Sequence, residues 1–267
     1  MHAERLGFDL VTVSDHLHGK APSYETWTLL TWIASRTERI GIAPIVLGLP
    51  YRPPPVTAKM AESLDRLSGG RLILGFGGGG SNAEFRAFGL DARSPGEKVD
   101  AMEEAIRIMH GLWREETFTF DGKHVRTNEA RIEPKAERDI PIWLGSYGKR
   151  SIGVLARLAD GWIPSMPFLS PDRAVESYAT LRRAAEEAGR DPDEIVWAYN
   201  IGADVGGDSE DEATLAGPAE AVAERLVELI RMGVRFPIFW TRERAEEQRE
   251  ALAGEVFPAV RREIGAA

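Results

Sequence analysis

Cysteine is absent from this chain, which excludes disulfides, thiolate nucleophiles and cysteine-ligated metals and fits a reducing cytoplasm. Cationic excess is lacking too. With 33 Lys and Arg against 42 Asp and Glu, the formal net charge is −9, so nothing offsets repulsion from phosphates and nucleic acid is not an expected partner. No apolar run approaches the ~20 residues needed to span a bilayer, and no basic start leads into an apolar stretch of the signal-peptide kind. The 5 histidines are scattered. No group of three metal ligands, no Ser-His-Asp arrangement on a nucleophile elbow and no paired-carboxylate site can be read. The expectation is a cytoplasmic, acidic globular protein working on a small-molecule substrate, without a metal. A protein so poor in catalytic side chains usually delegates the reaction to a cofactor.

What is present is a rhythm. Short apolar runs that turn abruptly polar occur at 8–16 ("FDLVTVSDH"), 39–48 ("RIGIAPIVLG"), 71–76 ("RLILGF"), 140–146, 160–165, 195–202 and 236–240. Each reads as a buried parallel strand. Amphipathic helices are predicted between them: 23–37 behind a serine cap, 56–70 stopped by Gly69 and Gly70, 94–113 opening on the capping-box pattern "SPGE", then 149–159, 171–188, 218–232 and 244–264. One stretch breaks the alternation: 117–134 alternates by two around Asp121-Gly122, a hairpin outside the main sheet. Residues 206–212 read as a solvated loop. Strand–helix alternation over the whole chain predicts an α/β protein, a parallel sheet covered by helices in a single domain over 1–267.

The glycine run poses a choice. Gly75 to Gly80, "GFGGGG", satisfies G-x-G-x-x-G, yet the dinucleotide fingerprint belongs at the first strand–helix turn, and this run follows the third strand. The acidic residue due ~20 residues further on would fall in the long helix beginning near Ser94 rather than at a strand end. A doubly wound nucleotide fold is therefore set aside for a TIM (β/α)8-type barrel with one unit missing.

In such a barrel the chemistry collects at the strand ends: Asp15 and His16, Ala43 and Pro44, Gly77 to Gly80, Ser146 to Gly148, Ser165, Asn200 and Trp240. Pro44 is odd, because proline removes a ladder donor inside a central strand. The stretch "GSYGKRS", 145–151, has a strand end, a glycine turn and a helix start whose free N–H groups suit a phosphate, with Lys149 and Arg150 adding charge.

Four stretches, "LGFDLVTVSDHL", "RIGIAPIVLGLPYRPPPVTAK", "LDRLSGGRLILGFGGG" with "EFRAFG", and "PIWLGSYGKRSIGVLARLADGWIP", resemble successive landmarks of the bacterial-luciferase-like superfamily. The resemblance implies a TIM-barrel oxidoreductase or monooxygenase using FMN or the deazaflavin coenzyme F420. It implies that His16 faces the ring system as the catalytic residue and that Asp15 helps hold it. A bulge at Ala43-Pro44, with a cis peptide there, would back the ring; Gly77, Gly78 and Gly79 would form a wall of the cofactor pocket. Ser146, Tyr147, Gly148, Lys149 and Ser165 would take the phosphate, and Trp162, Tyr199 and Trp240 would line the pocket or pack in the core. Two departures stand out. Some deazaflavin-dependent sugar dehydrogenases carry a catalytic Glu where this chain has Gly80, which weighs against that chemistry. The first strand of the family barrel is lacking, only the last turns of its helix remaining before Gly7. That gap leaves a non-catalytic flavin-binding or partner subunit as the alternative to an enzyme; a homodimer is the expected assembly.

Overall fold

The computed structural model describes residues 1–241 and 244–265. Strand and helix alternate from the start: α1 (His2–Arg5), β1 (Leu10–Val13), α2 (Thr26–Ala34), β2 (Gly41–Pro44), β3 (Leu47–Gly48), α3 (Pro54–Ser68), β4 (Leu74–Gly77), α4 (Asn82–Ala87) and α5 (Pro95–Arg114). The hairpin of β5 (Phe118–Asp121) and β6 (Arg126–Ala130) interrupts the pattern. It resumes with β7 (Ile142–Leu144), α6 (Lys149–Leu158), β8 (Gly161–Trp162), α7 (Pro171–Glu187), β9 (Val196–Val205), β10 (Thr214–Gly217), α8 (Ala219–Arg231), β11 (Phe236–Trp240), α9 (Ala245–Ala251) and α10 (Phe257–Gly265).

Neighbours in the sheet follow chain order and run parallel. β1 pairs with β2, and Ile42 of β2 bridges to Leu72 just ahead of β4. From there the ladder passes through β4, β7, β8 and β9 to β11. Side chains alternate across each strand, and the alternation builds two cores. Outward residues such as Ile42, Leu74, Ile142 and Trp162 join the helices in the larger cluster. Inward residues Trp143, Ile163, Ala198 and Ile238 meet Leu10, Val46 and Phe236 in the smaller one. Residues of β1 and β11 thus share one interior, so the sheet curls round on itself. Among the described residues no strand pairs β1 to β11. Between them lies a cleft of about 420 Å³, lined by Val11, Phe239, Leu226 and Phe257 among others. No helix of the described residues is long and apolar enough to cross a membrane.

Several expectations need correcting. The first long helix is capped not by Ser23 but by Glu25, whose carboxylate accepts from the N–H groups of Trp27 and Thr28. A carboxylate there also complements the positive end of the helix dipole. The run 39–48 breaks into β2 and β3, and the cis peptide lies at Ile45–Val46, not at Ala43–Pro44. Pro44 is tolerated for a different reason. Gly41 and Ile45 donate to Asp9 and Val13 on the β1 side, whereas Ile42 donates to Arg71 on the other. Position 44 falls on the side of residue 42, so the missing donor faces the strand leading into β4 and leaves the β1 ladder whole. There the backbones approach so closely that a Cβ on Gly75 would lie 1.9 Å from the Pro44 carbonyl oxygen, which only glycine avoids. β10, parallel to the far half of β9, was not expected; its residues "TLAG" are too few to show a period. The capping box at Ser94 and Glu97 forms as read. The hairpin tip is held by Glu104 of α5, which accepts from the N–H groups of Lys123, His124 and Val125.

Candidate active site

A cavity of about 430 Å³ opens at the carboxyl ends of the strands, a volume in the range of small-ligand pockets. Most of the residues expected at the strand ends line it: Asp15, His16, Gly77, Gly78, Gly79, Ser146, Tyr147, Gly148 and Ser165. Ala43 and Pro44 are buried behind it, and Lys149, the first residue of α6, stands outside the lining. Arg150 is engaged by Asp100 of α5. Trp162 and Tyr199 are core residues; the Trp162 indole donates to the Ser146 carbonyl at 2.7 Å and the Tyr199 hydroxyl to the Leu169 carbonyl.

One wall follows β1. Just past the end of β1, the Asp15 side chain is buried and His16 stands exposed at the rim. The Asp15 carboxylate, fully buried, accepts from Gly48 N–H at 2.9 Å and from both terminal nitrogens of Arg52 at 2.9 and 3.1 Å. It does not hold His16, as the resemblance had implied. Arg52 reaches on to Glu25. Burial pushes the Glu25 carboxyl upward, but the N–H donors of α2 and the guanidinium outweigh it and bring it down to about 2. His16 is held instead by Glu84 of α4, with Nδ1 at 2.9 Å from Oε1. The Tyr51 hydroxyl donates to the other oxygen, Oε2, at 3.0 Å. Burial, then the bond to Glu84, pushes the Tyr51 phenol up to about 12.

The glycine run lets α4 come this close. At Gly79 φ is +91° and the Phe85 ring packs where a side chain would stand. The Lys98 ammonium donates to the carbonyls of Gly79 and Gly80 at 2.8 and 3.3 Å and lies 5.7 Å above the Phe85 ring; burial lowers its pKa. Gly80 has nothing within 4 Å of a would-be Cβ.

The opposite wall comes from β7, β8 and β9. Ser146 is only 2% exposed, and its Oγ has no hydrogen-bond partner among the described residues. The same is true of Asn200 Oδ1, while Asn200 Nδ2 donates to Ser165 Oγ at 3.1 Å. Ser165 N–H donates to the Tyr147 hydroxyl at 3.1 Å. Gly148 opens α6 without a side-chain cap, leaving amides of the first turn to whatever occupies the cavity. Sequence reasoning had assigned no role to Glu84, Tyr51, Arg52 or Lys98. The one signal for Glu84 was Ser81 three residues ahead of it, the start of a capping pattern; Ser81 Oγ does accept from Glu84 N–H. Away from the cavity lining, the two ring nitrogens of His2 lie 3.3 and 3.4 Å from carboxylate oxygens of exposed Glu246 and Glu250.

Comparison with known proteins agrees with this architecture. Residues 1–211 match the family model described as luciferase-like monooxygenase. An F420-dependent glucose-6-phosphate dehydrogenase of Nakamurella multipartita is 34% identical over 203 residues, covering 72% of this chain and 58% of that one. A 5,10-methylenetetrahydromethanopterin reductase of Methanolobus tindarius is 31% identical over 198 residues, 74% of this chain and 57% of the relative. The chain thus spans less than two thirds of the length of these relatives. Among solved structures, an F420-dependent secondary alcohol dehydrogenase in complex with an F420–acetone adduct superposes with a TM-score of 0.88 at 19% identity, covering 97% of this chain and 92% of that one. The monooxygenase RslO1 of Streptomyces bottropensis gives 0.83 at 21%, covering 96% and 90%. At those identities the structural likeness speaks for the TIM-barrel fold alone. The family match over most of the length, with strand-end residues gathered round one cavity, makes this chain a member of the luciferase-like monooxygenase family.

Proposed function

We propose that the chain is an oxidoreductase that uses coenzyme F420, with FMN as the alternative coenzyme, on a small organic substrate. One observation carries the reading: a buried serine hydroxyl without a protein partner, Ser146 Oγ, and a carboxylate-held imidazole, His16, line the same cavity. Relatives named for F420 at 30% identity and above support the deazaflavin; monooxygenase neighbours keep FMN in view.

The donors on the β7–β9 side fit a phosphate-bearing group. Ser146 Oγ, the uncapped amides after Gly148, and the Tyr147 and Ser165 hydroxyls would hold it, with Lys149 adding positive charge beside the same helix start. Gly77, Gly78 and Gly79 line the cavity together with Ile45 and Val46 and would form a wall for a flat ring, with Ala43 and Pro44 backing that bulge. A coenzyme of this class supplies a hydride donor or acceptor. His16 takes up or returns the accompanying proton, Lys98 ties down the glycine loop, and Tyr51 and Phe85 keep water from that side. The dehydrogenation of glucose 6-phosphate named for the relatives is not carried over, because Gly80 puts no carboxylate there.

The ring is read as one strand short within residues 1–267, the cleft between β1 and β11 lying where an eighth strand would pair. A non-catalytic flavin-binding or partner subunit is the second reading, drawn from that same cleft, which a strand of another chain would complete. The held His16 favours the enzyme. A cytoplasmic homodimer remains the expected setting.

Titration of the purified protein with F420 and, separately, with FMN, followed by fluorescence quenching, tests the reading. Saturable quenching by F420 is expected. In His16→Ala, binding should persist within a few-fold while turnover falls about 100-fold or more. Binding without turnover by the wild type would favour the partner subunit, and binding of neither coenzyme would overturn both.

A further inference from the structure

Neutral imidazole carries one proton, and its partners decide which nitrogen keeps it. At His16 the partner of Nδ1 is a carboxylate, Glu84 Oε1 at 2.9 Å, and a carboxylate offers no proton of its own. Nδ1 must therefore be the donor. Among the described residues Nε2 has no hydrogen-bond partner, and the side chain is 67% exposed at the cavity rim. Glu84 is itself fixed: its side chain is 15% exposed, and its second oxygen accepts from the Tyr51 hydroxyl at 3.0 Å. Tyr51 is locked in turn by edge-on contacts with Phe85 and Phe88, at 5.1 and 6.2 Å between centroids.

The other charged groups nearby are already committed. Asp15 is bonded to Arg52, Arg52 also to Glu25, and Lys98 to the carbonyls of Gly79 and Gly80. His18 stacks edge-on with Phe88. Among the described residues only Glu84 is left to orient the imidazole.

We propose that Glu84 is the positioning residue of this site: it holds His16 as the Nδ1–H tautomer, leaves the lone pair of Nε2 free at the cavity, and is kept in register by Tyr51. The inference rests on the reading of His16 as the proton-transfer residue. The proton taken from a substrate group goes to Nε2; Nδ1 keeps its own, and the imidazolium so formed faces the Glu84 carboxylate, so no charge is left without a counterpart. Asp serves His in the same way in unrelated hydrolases.

Nitrogen-15 spectra of histidine-labelled protein, taken without coenzyme at a pH where the ring is neutral, test the geometry directly. His16 is expected to show a protonated Nδ1 and a bare Nε2. Glu84→Leu should revert it to the Nε2–H form that free imidazole prefers. Glu84→Gln, near-isosteric and able to accept through its own Oε1, should keep the Nδ1–H form. In the coenzyme-loaded enzyme, Glu84→Gln should lower kcat about 10- to 100-fold with KM and coenzyme affinity within about 2-fold, and Tyr51→Phe should have a smaller effect of the same kind. A wild-type His16 protonated on Nε2, or unchanged in Glu84→Leu, overturns the proposal. So does a Glu84→Gln enzyme with unchanged kcat. Correct tautomers in a protein that binds neither F420 nor FMN would instead leave the Glu84 contact standing and remove the functional reading.

Discussion

The two walls of the cavity treat their polar groups in opposite ways. On the side of β1 and α4, Asp15, Arg52 and Glu25 form one hydrogen-bonded group and His16, Glu84 and Tyr51 a second, each carboxylate oxygen answered by another group of the chain. On the side of β7 and β9, Ser146 Oγ and Asn200 Oδ1 go unanswered among the described residues, and α6 starts without a side-chain cap. Buried polar atoms without partners are rare in native proteins and call for an explanation. A ligand that brings acceptor oxygens answers the Ser146 hydroxyl and the amides of α6, and an N–H or O–H on the same ligand answers Asn200 Oδ1. The first wall has met its desolvation cost within the fold before anything binds, and its partners are in place ahead of any proton transfer. The second has its cost outstanding until occupied.

The largest expected effect breaks the paired wall. Replacing Arg52 by Met strips the fully buried Asp15 carboxylate of its guanidinium and should cost about 3–5 kcal/mol. That would lower Tm by roughly 10 °C in a chain of this size, measured by thermal unfolding of the protein without coenzyme. Adding Asp15→Asn should recover part of the loss, since the stranded charge is then gone. A Tm within 2 °C of wild type (about 1 kcal/mol or less) would mean that this wall is not paired as described.

Ser146→Ala makes the complementary cut. Its hydroxyl has no protein partner to lose, so stability without coenzyme should hold or rise slightly. A hydrogen bond to a charged group contributes about 1.5–3 kcal/mol, so coenzyme affinity in fluorescence titration should fall about 10-fold or more. The contrast fails if Ser146→Ala lowers Tm as Arg52→Met does, or leaves affinity unchanged.

How much of this could be seen in the residues follows the same division. The order of strands, the box at Ser94 and Glu97, the glycine run and the strand-end serines are local patterns, and they emerge in position. The paired wall was invisible because its partners are distant: His16 and Glu84 are 68 residues apart, Asp15 and Arg52 are 37. Asp15 and His16 are adjacent, and the family resemblance implied that the one holds the other. Just past the end of β1 the first is buried and the second exposed, each with a different partner. The bulge misled for a related reason. A proline marks where the strand ladder loses a donor, but the cis peptide falls two residues on, at Ile45–Val46.

The smallest expected effect sharpens the comparison at the Tyr51–Glu84 bond. The phenol is pushed up to about 12, first by burial and then by the bond and charge of Glu84, from a usual value of 10. Between those two values the folded chain keeps the proton while the unfolded chain gives it up. Stabilisation from this group is therefore complete below pH 10 and disappears as pH rises toward 12. Tyr51→Phe carries no such proton, so the stability gap between wild type and variant should be constant up to pH 10 and shrink above it. Denaturant midpoints of both proteins from pH 9 to 12, with near-ultraviolet phenolate absorbance recorded alongside, measure the gap, and the other tyrosines cancel in the difference. A gap that stays flat to pH 12 would mean that the Tyr51 proton is not shared with Glu84. The paired wall would then end at the carboxylate, leaving Glu84 free to swing away from His16.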